Sequence, residues 1–402
     1  MAVWDDMVGQ DRVVAQLSTA ARDADALVTA HAEGAAAPDG STMTHAWLFT
    51  GPPGSGRVTA ARAFAAALQC VSPDRALGAA PGCGFCDGCH TALIGTHADV
   101  SSITAVGSQI LVASMRDTVR KSFTAPANGR WQVILVEDAE RLNERSANAV
   151  LKAVEEPATR TVWLLCAPSV EDVLPTIRSR CRLLTLGTPP VDAVADLLVR
   201  RDGIEPEAAA VAARATQGNI DRARRLATDE RARARRKAVL GLPLRVDDIG
   251  QCLRAAQDLV DAANDDAAQM AEEIDGKETE DLKAALGGVA GGRMPRGTAG
   301  AMKELEDTQK RRRTRVQRDS LDLALSDLAG FYRDVLALQF GSRVQLANGD
   351  IRDALDRVAR SSAPEATLRR IEAITACRTA LDTTTVAPLL AVEAMAVSLR
   401  AG

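Results

Sequence analysis

The feature that most constrains this chain is a glycine-rich segment, GPPGSGRVT, at Gly51 to Thr59. It follows the apolar run AWLFT (Ala46 to Thr50) and precedes an alanine-rich helical pattern. In a strand, glycine loop and helix of this order, backbone N–H groups at the helix N-terminus can surround a phosphate. The segment therefore predicts a phosphate-binding type of loop within an α/β domain.

Two positions of this loop depart from those of a working nucleotide enzyme. A working loop places a lysine on the outer phosphates and a Ser or Thr hydroxyl on magnesium, whereas this chain has Arg57 and Val58. Arginine keeps the charge without the compact shape of lysine, and valine offers the metal no oxygen. Gly51, Gly54, Gly56 and Arg57 thus form a degenerate nucleotide site, at which ATP binding is doubtful and hydrolysis is not expected.

An acidic pair, Glu137 and Asp138, follows the apolar run WQVILV. Enzymes with this type of loop use such a pair, in the order Asp then Glu, to hold the metal and polarise water. The reversed order displaces each carboxylate by about one methylene, and errors of about 1 Å are costly to catalysis. Both carboxylates could still bind a cation weakly, so we assign them to the degenerate site.

Residues 1–188 alternate short apolar runs with helical patterns, which predicts an α/β domain built on a parallel sheet. An amphipathic pattern over residues 141–157 predicts a helix that Pro157 ends. The clearest strand patterns are AWLFT (46–50), WQVILV (131–136), TVWLLC (161–166) and RLLTL (182–186).

Strand patterns stop at GTPP (187–190), and the patterns that follow are helical. We predict a small helical lid domain at 189–242 and an all-α oligomerisation domain at 243–402. Within the latter, the glycine-rich stretch LGGVAGGRMPRGTAG (286–300) opposes a packed helix. We therefore predict a flexible insertion around 273–315.

The stretch CGFCDGC places Cys83, Cys86 and Cys89 at two-residue separations, with Cys70 upstream. In a protein of a reducing compartment, such spacing indicates metal binding rather than disulfides. Four thiolates close a tetrahedral zinc site and leave no position for a reacting water. We therefore predict a structural zinc ion.

Two glycines and two histidines accompany these cysteines. Gly84 and Gly88 would permit the tight turns that bring successive thiolates onto one ion. His90 is a rival fourth ligand, although directly adjacent residues rarely reach the same ion, and His97 is a weaker rival.

The 402 residues carry a formal net charge of −4, which argues against a protein that coats nucleic acid through overall positive charge. Two basic runs, at 224–237 and 310–318, could meet phosphates or form solvated helix faces. They lack interleaved aromatic residues, so any DNA contact would be to the backbone. No basic leader and no apolar run of the roughly 20 residues that span a membrane is present, which predicts a cytoplasmic protein without membrane contact.

Taken in order, these segments resemble the bacterial DNA polymerase III clamp loader, an AAA+ assembly. The resemblance covers about the first 225 residues, and the remainder is similar only as a helical collar domain. The matching segments are WDDMVGQ (4–10), HAWLFTGPPGSGR (45–57), the four cysteines, VILVEDAERLNERSANAVLKAVEEP (133–157) and PTIRSRC (175–181).

The resemblance includes two subunit types, the ATP-hydrolysing gamma/tau motor and a delta-prime type whose own nucleotide site is defective. Arg57, Val58 and the reversed acidic pair are similar to the delta-prime type. The polar sensor of the motor is replaced by Ala167 and Pro168, and its lid arginine falls on Asp221, next to Arg222.

The same resemblance implies a role for Arg180 in the SRC motif, Ser179 to Cys181. In this family the motif arginine acts on the ATP of a neighbouring subunit, and such fingers can be worth about 10³ to 10⁵ in rate. The register favours Arg180 over Arg178. The alternative is that Arg180 pairs only with an acidic group on its own surface.

By resemblance, the chain is a stator without autonomous activity in a hetero-oligomeric holoenzyme, with gamma/tau and delta as partner subunits. The sliding clamp and primer-template DNA would be met through the assembled complex. A divergent gamma/tau-type ATPase is the alternative, and a zinc-stabilised DNA-binding protein outside any loader is a third hypothesis.

Overall fold

The computed structural model describes residues 2–36, 39–105, 109–127, 129–246, 248–285, 299–383 and 386–401. It divides into two compact units, one of the described residues up to Arg225 and one of those from Leu226 onwards. The predicted domain boundaries at 188 and 242 stay predictions.

A sheet of five parallel strands forms the centre of the first unit, in the order β2-β3-β4-β1-β5. Four strands match the predicted runs to within one residue at each end, so the α/β class with a parallel sheet is confirmed. The strands are β1 (Ala46–Thr50), β2 (Val100–Ile103), β3 (Gln132–Val136), β4 (Thr161–Ala167) and β5 (Arg182–Thr185).

Strand β2 was missed by the sequence analysis because it lies at the edge of the sheet. Its sequence, VSSI, has only one fully buried residue, so it lacks a continuous apolar run. In contrast, every residue of β1, β3 and β4 is buried. Helices cover both faces of these inner strands, which explains their uninterrupted apolar sequences.

Helices pack on both faces of the sheet. Trp47 contacts Phe64 edge-to-face on one face, with the ring centroids 5.2 Å apart. Trp163 and Met115 are buried on the other face. The helices of this unit are α1 (Asp11–Glu33), α2 (Arg57–Leu68), α3 (Asp87–Leu93), α4 (Val112–Ser122), α5 (Glu144–Glu155), α6 (Pro175–Arg178), α7 (Val191–Asp202), α8 (Pro206–Ala215) and α9 (Ile220–Thr228), whose last residues extend past Arg225.

The helix predicted at 141–157 is α5, which is shorter at its N-terminus. Asn143 is its N-cap, and its side chain accepts a hydrogen bond from the Ser146 N–H at 2.9 Å. Because asparagine satisfies a first-turn N–H at a cap position, the helix begins there rather than at Arg141.

The described residues of the second unit form helices and the segments that connect them, without a strand. Phe331 and Tyr332 lie in its core. The long helices α11 and α12 occupy 273–285 and 299–315, where the flexible insertion was predicted, and 286–298 lies outside the described residues. The helices are α10 (Glu230–Leu240), α11 (Ile249–Ala285), α12 (Ala299–Gln339), α13 (Arg352–Ser361), α14 (Pro364–Thr383) and α15 (Pro388–Ala401).

Candidate functional site

The glycine loop joins β1 to α2 at the carboxyl edge of the sheet. Gly54 and Gly56 have φ of 87° and 81°, a region that glycine adopts without the strain of a side chain. A Cβ on Gly51 would lie 2.6 Å from the Leu186 carbonyl oxygen. All three glycines are therefore required by the shape of the loop, and the predicted strand, loop and helix are present.

Arg57, at the position of the usual lysine, turns back onto its own loop. Its Nη1 donates to the carbonyl oxygen of Gly51. The N–H of Gly51 in turn donates to the Pro168 carbonyl oxygen at 3.2 Å, at the end of β4. The cation and this loop N–H are thus both engaged within the protein.

The acidic pair after β3 also has protein partners. Glu137 Oε1 accepts hydrogen bonds from Arg62 Nη2 at 2.5 Å and from Ser102 Oγ at 2.6 Å. Asp138 Oδ2 accepts from the Ala105 N–H at 2.9 Å. A cation bound here would compete with Arg62 for the same carboxylate oxygen.

A third carboxyl group at this edge, that of Glu140, was missed by the sequence analysis. Burial raises its pKa, and the nearby charge of Asp138 acts in the same direction. The sequence DAE contained this acid, but only the fold shows that it lies half-buried on a short 3-10 helix, Ala139–Arg141.

Residues before α9 and α1 close over the loop. A Cβ on Gly54 would lie 2.7 Å from the Cβ of Asn219, which also caps α9 by accepting a hydrogen bond from the Arg222 N–H. Gln10 Nε2 donates to the Gly187 carbonyl oxygen at 2.6 Å. Asp221, at the family's lid-arginine position, is exposed. The sequence analysis did not predict the contacts of Asn219 and Gln10.

Arg180 follows α6 and contacts the end of α5. Its Nε donates to Glu155 Oε1 at 2.5 Å, and its Nη2 forms an ion-pair contact with the same oxygen. Its Nη1 donates to the Thr176 carbonyl oxygen at 2.7 Å and to Ser179 Oγ at 3.1 Å. The surface pairing considered as an alternative is therefore present, while the Arg180 side chain remains 37% exposed.

The four predicted metal ligands lie together. The sulfur atoms of Cys70, Cys83, Cys86 and Cys89 are all within 4.8 Å of one another. Three of the separations are 3.9, 3.9 and 4.0 Å. A tetrahedral zinc site with Zn–S of about 2.3 Å has sulfur atoms about 3.8 Å apart, whereas a disulfide needs about 2.05 Å.

The surroundings of the cluster favour a thiolate at Cys70, whereas burial raises the pKa of Cys83. A hydrogen bond with Cys89 lowers the pKa of the Cys70 thiol to about 3. The same hydrogen bond, together with burial, raises the pKa of Cys89, because the two thiols share one proton. The N–H of Val71 donates to Cys86 Sγ at 3.3 Å, as expected around a metal-ligating sulfur.

Neither rival histidine belongs to this group of described residues. His90 is exposed, and its backbone N–H donates to the Cys86 carbonyl oxygen within α3. His97 Nδ1 accepts a hydrogen bond from the Asp99 N–H at 3.1 Å, and burial lowers its pKa.

The two glycines of the cysteine stretch have different roles. Gly84 has φ of 84°, which provides the predicted turn. Gly88 instead allows close approach, because a Cβ there would lie 1.9 Å from the Gln69 carbonyl oxygen. Gln69 directly precedes Cys70, so Gly88 keeps α3 close to the first ligand.

Gly88→Ala is therefore expected to push α3 away from Gln69 and separate Cys89 from Cys70. We expect a loss of about 1–3 kcal/mol in the free energy of unfolding, typical of overpacking, with weaker metal retention. Urea unfolding and metal content per chain measure the two effects. Gly187→Ala is the matched control, because nothing lies within 4 Å of a Cβ there. Equal stability of Gly88→Ala and the native chain would contradict this role.

The two basic runs are largely engaged within the protein. In the second run, Arg312 pairs with Glu278 at 2.7 Å and with Asp275 at 2.9 Å. In the first run, Arg235 pairs with Asp266. These contacts join α12 and α10 to α11, which supports a structural role for the runs.

None of the described helices combines the length and the apolar character needed to cross a membrane.

Comparison with known proteins supports the resemblance. Residues 35–190 match the sequence model of a family described as "DNA polymerase III, delta subunit". DNA polymerase III subunit delta′ of Pseudomonas aeruginosa is 37% identical over 164 residues, which cover 40% of this chain and 49% of the relative. DNA polymerase III subunit tau of Escherichia coli is 34% identical over 181 residues, which cover 44% of this chain and 27% of the relative.

A solved structure of a DNA polymerase III gamma subunit-related protein from Thermotoga maritima matches with a TM-score of 0.39 and 14% identity. That match covers 88% of this chain and 93% of the other. In sequence, the chain spans about half the length of the delta′ relative and about a quarter of the tau relative. Through residues 35–190, this chain is therefore similar in sequence to subunits of DNA polymerase III, in agreement with the resemblance that its motifs indicated.

Proposed function

We propose that this chain is a clamp-loader subunit of the delta-prime type, which does not hydrolyse ATP itself. It acts as a stator and places Arg180 in the ATP site of a neighbouring subunit while the sliding clamp is loaded on primed DNA. The main support for the proposal is that the basic side chain of this chain's own glycine loop is engaged within the loop. Arg57 donates to the Gly51 carbonyl oxygen instead of standing free to meet a phosphate.

The other groups of that loop and its surroundings support the same conclusion. Val58 offers no oxygen to magnesium. The carboxylate of Glu137 already pairs with Arg62, so it is less available to a metal ion. Pro168 lies at a position where the motor type has a polar sensor, and its carbonyl oxygen accepts a hydrogen bond from the Gly51 N–H. Hydrolysis needs a metal, a placed water and free cationic donors together, and each of these is compromised.

The proposed partners are the gamma/tau and delta subunits, in a hetero-oligomer that meets the sliding clamp and primer-template DNA as an assembly. Similarity to subunits named delta′ and tau supports this proposal. The internal ion pairs of Arg235 and Arg312 leave those cations less available to DNA phosphates, so we assign DNA contact to the assembled complex.

We further propose that Cys70, Cys83, Cys86 and Cys89 hold one structural zinc ion. The sulfur separations of 3.9 to 4.0 Å fit a tetrahedral site, and the buried Cys70 and Cys89 tie it to the core of the first unit. A bound zinc ion would join α3 to the end of α2. Its ligand set is closed, so it would contribute stability and no reaction chemistry.

The test is co-purification with a gamma/tau subunit, followed by ATPase assays with and without this chain. We expect the chain alone to release no phosphate from ATP above the protein-free rate, and to raise the turnover of the motor subunit in the complex. Failure to assemble with the motor, or a complex whose turnover is unchanged, would contradict the proposal.

The second candidate is a divergent gamma/tau-type ATPase. It is favoured by the intact backbone of the glycine loop and by 34% identity to a tau subunit. In that case the purified chain would hydrolyse ATP, and Asp138→Ala would abolish the turnover. The third hypothesis, a DNA-binding protein outside any loader, would require tight and salt-sensitive DNA binding by the isolated chain.

A further inference from the structure

The contacts of Arg180 within this chain leave neither edge of its guanidinium free for a phosphate. A guanidinium has five N–H bonds. One of those of Arg180 donates to Glu155 Oε1, one to the Thr176 carbonyl oxygen and one to Ser179 Oγ, and Nη2 lies in ion-pair contact with the same Glu155 oxygen. Both edges of the guanidinium are therefore engaged, and neither is free for the two-pronged contact that arginine makes with phosphate oxygens.

The two edges of this guanidinium are held by different kinds of groups. The Nη1 edge donates to a backbone carbonyl oxygen and to a hydroxyl that itself donates to the Thr176 carbonyl oxygen at 3.3 Å. The Nε/Nη2 edge is held only by the side chain of Glu155, which is 43% exposed at the last position of α5. Rotation of that one side chain would free the edge while the Nη1 edge stays anchored.

We propose that Glu155 holds Arg180 in reserve and releases it when the nucleotide of a neighbouring subunit competes for the guanidinium. This inference rests on the proposed function of Arg180. The phosphoryl group carries more negative charge than one carboxylate, so it outcompetes Glu155 once the subunits have assembled. Before assembly, Glu155 competes with other anions for Arg180.

Exposed ion pairs of this kind are weak, so the reserve position lowers the free population of Arg180 only modestly. The expected effect of removing it is an increase of about twofold to fivefold in ATPase stimulation at subsaturating amounts of this chain. Salt screens such a pair, so the increase should shrink as the salt concentration rises.

The test compares Glu155→Gln with Glu156→Gln in the complete chain, using the complex with its motor subunit. Glutamine keeps the shape of Glu155 but removes the charge that holds Arg180. The adjacent Glu156 is exposed, and its carboxylate makes no hydrogen bond or ion pair among the described residues, so Glu156→Gln loses the same charge without touching Arg180. We expect stimulation to rise for Glu155→Gln and to stay at the native level for Glu156→Gln.

The Arg180→Ala variant distinguishes failure of the proposed function of Arg180 from failure of the reserve role of Glu155. If Arg180→Ala leaves the complex at full turnover, the proposed function itself fails. If Arg180→Ala removes the stimulation but Glu155→Gln leaves it unchanged, Glu155 has no effect on Arg180 and the reserve role is overturned. If Glu155→Gln lowers the stimulation, Glu155 orients the arginine, and the reserve role is overturned as well. Increased stimulation that persists in the double variant would also overturn it, because the effect would then not pass through Arg180.

Discussion

Arg180→Ala is expected to remove the proposed stimulation of ATP hydrolysis in a complex of this chain with a gamma/tau motor subunit. At the ATP site that the arginine completes, the loss should be about 10³-fold, the lower bound for arginine fingers. The reason is electrostatic, since the guanidinium stabilises charge on the transferring phosphoryl group and no neighbouring side chain can replace it. A complex with several ATP sites would retain the turnover of the others.

The measurement is steady-state and single-turnover hydrolysis by the complex, together with co-purification to show that assembly is intact. Arg180 lies at the surface with 37% of its side chain exposed, so the chain itself should fold normally. Arg178→Ala is the matched control, because this arginine lies two residues away, in α6, and should leave turnover unchanged. Native turnover in the Arg180→Ala complex would remove the assigned role.

Arg180→Lys distinguishes the charge from the shape of the side chain. Lysine keeps the positive charge but lacks the planar fork that engages two phosphate oxygens. We expect partial stimulation, between those of the native complex and of Arg180→Ala. Full stimulation by lysine would indicate that charge alone is sufficient.

Cys86→Ser is expected to release the zinc ion and to destabilise the first unit. Cys86 Sγ lies 3.9 Å from Cys70 Sγ, and its removal leaves three thiolates in a site that requires four. Structural zinc contributes about 10–16 kcal/mol in small zinc-finger peptides. In this larger unit, which also has a sheet core, we expect a smaller loss of at least about 3 kcal/mol in the free energy of unfolding.

Metal content per chain and fluorescence-detected unfolding measure these effects. The four tryptophans, Trp4, Trp47, Trp131 and Trp163, all lie in the first unit, whereas the single tyrosine, Tyr332, lies in the second. Tryptophan emission therefore reports the unit that contains the cysteine cluster. The midpoint of its transition should fall for Cys86→Ser and after treatment of the native chain with a chelator.

Cys377→Ala is the control for the metal experiment. This cysteine is buried in the second unit and is not one of the four clustered cysteines, so its loss should leave the zinc content at one ion per chain. Native protein purified without zinc, with an unchanged tryptophan transition after chelation, would rule out the structural metal.

Much of the secondary structure of the first unit could be predicted from the sequence, because the patterns that indicate it lie within short segments. The inner strands are continuous apolar runs since both sheet faces are covered, and the spacing of Cys83, Cys86 and Cys89 placed three ligands on one short segment. The degenerate nucleotide site could likewise be predicted from Arg57 and Val58, because the replacement of a lysine and of a hydroxyl is visible in the sequence.

Other features depended on contacts between distant segments, which a local pattern does not contain. The edge strand β2 has no apolar signature, and the helices over 273–285 and 299–315 are held partly by ion pairs such as Arg312 with Asp275. The need for glycine at position 88 comes from the carbonyl oxygen of Gln69, which belongs to an earlier segment of the chain. The sequence alone therefore determined which chemical groups the degenerate loop and the cysteine cluster carry. Only the tertiary structure decided what those groups touch, including the pairing of Arg180 with Glu155, because hydrogen bonds between separate elements depend on how the chain packs.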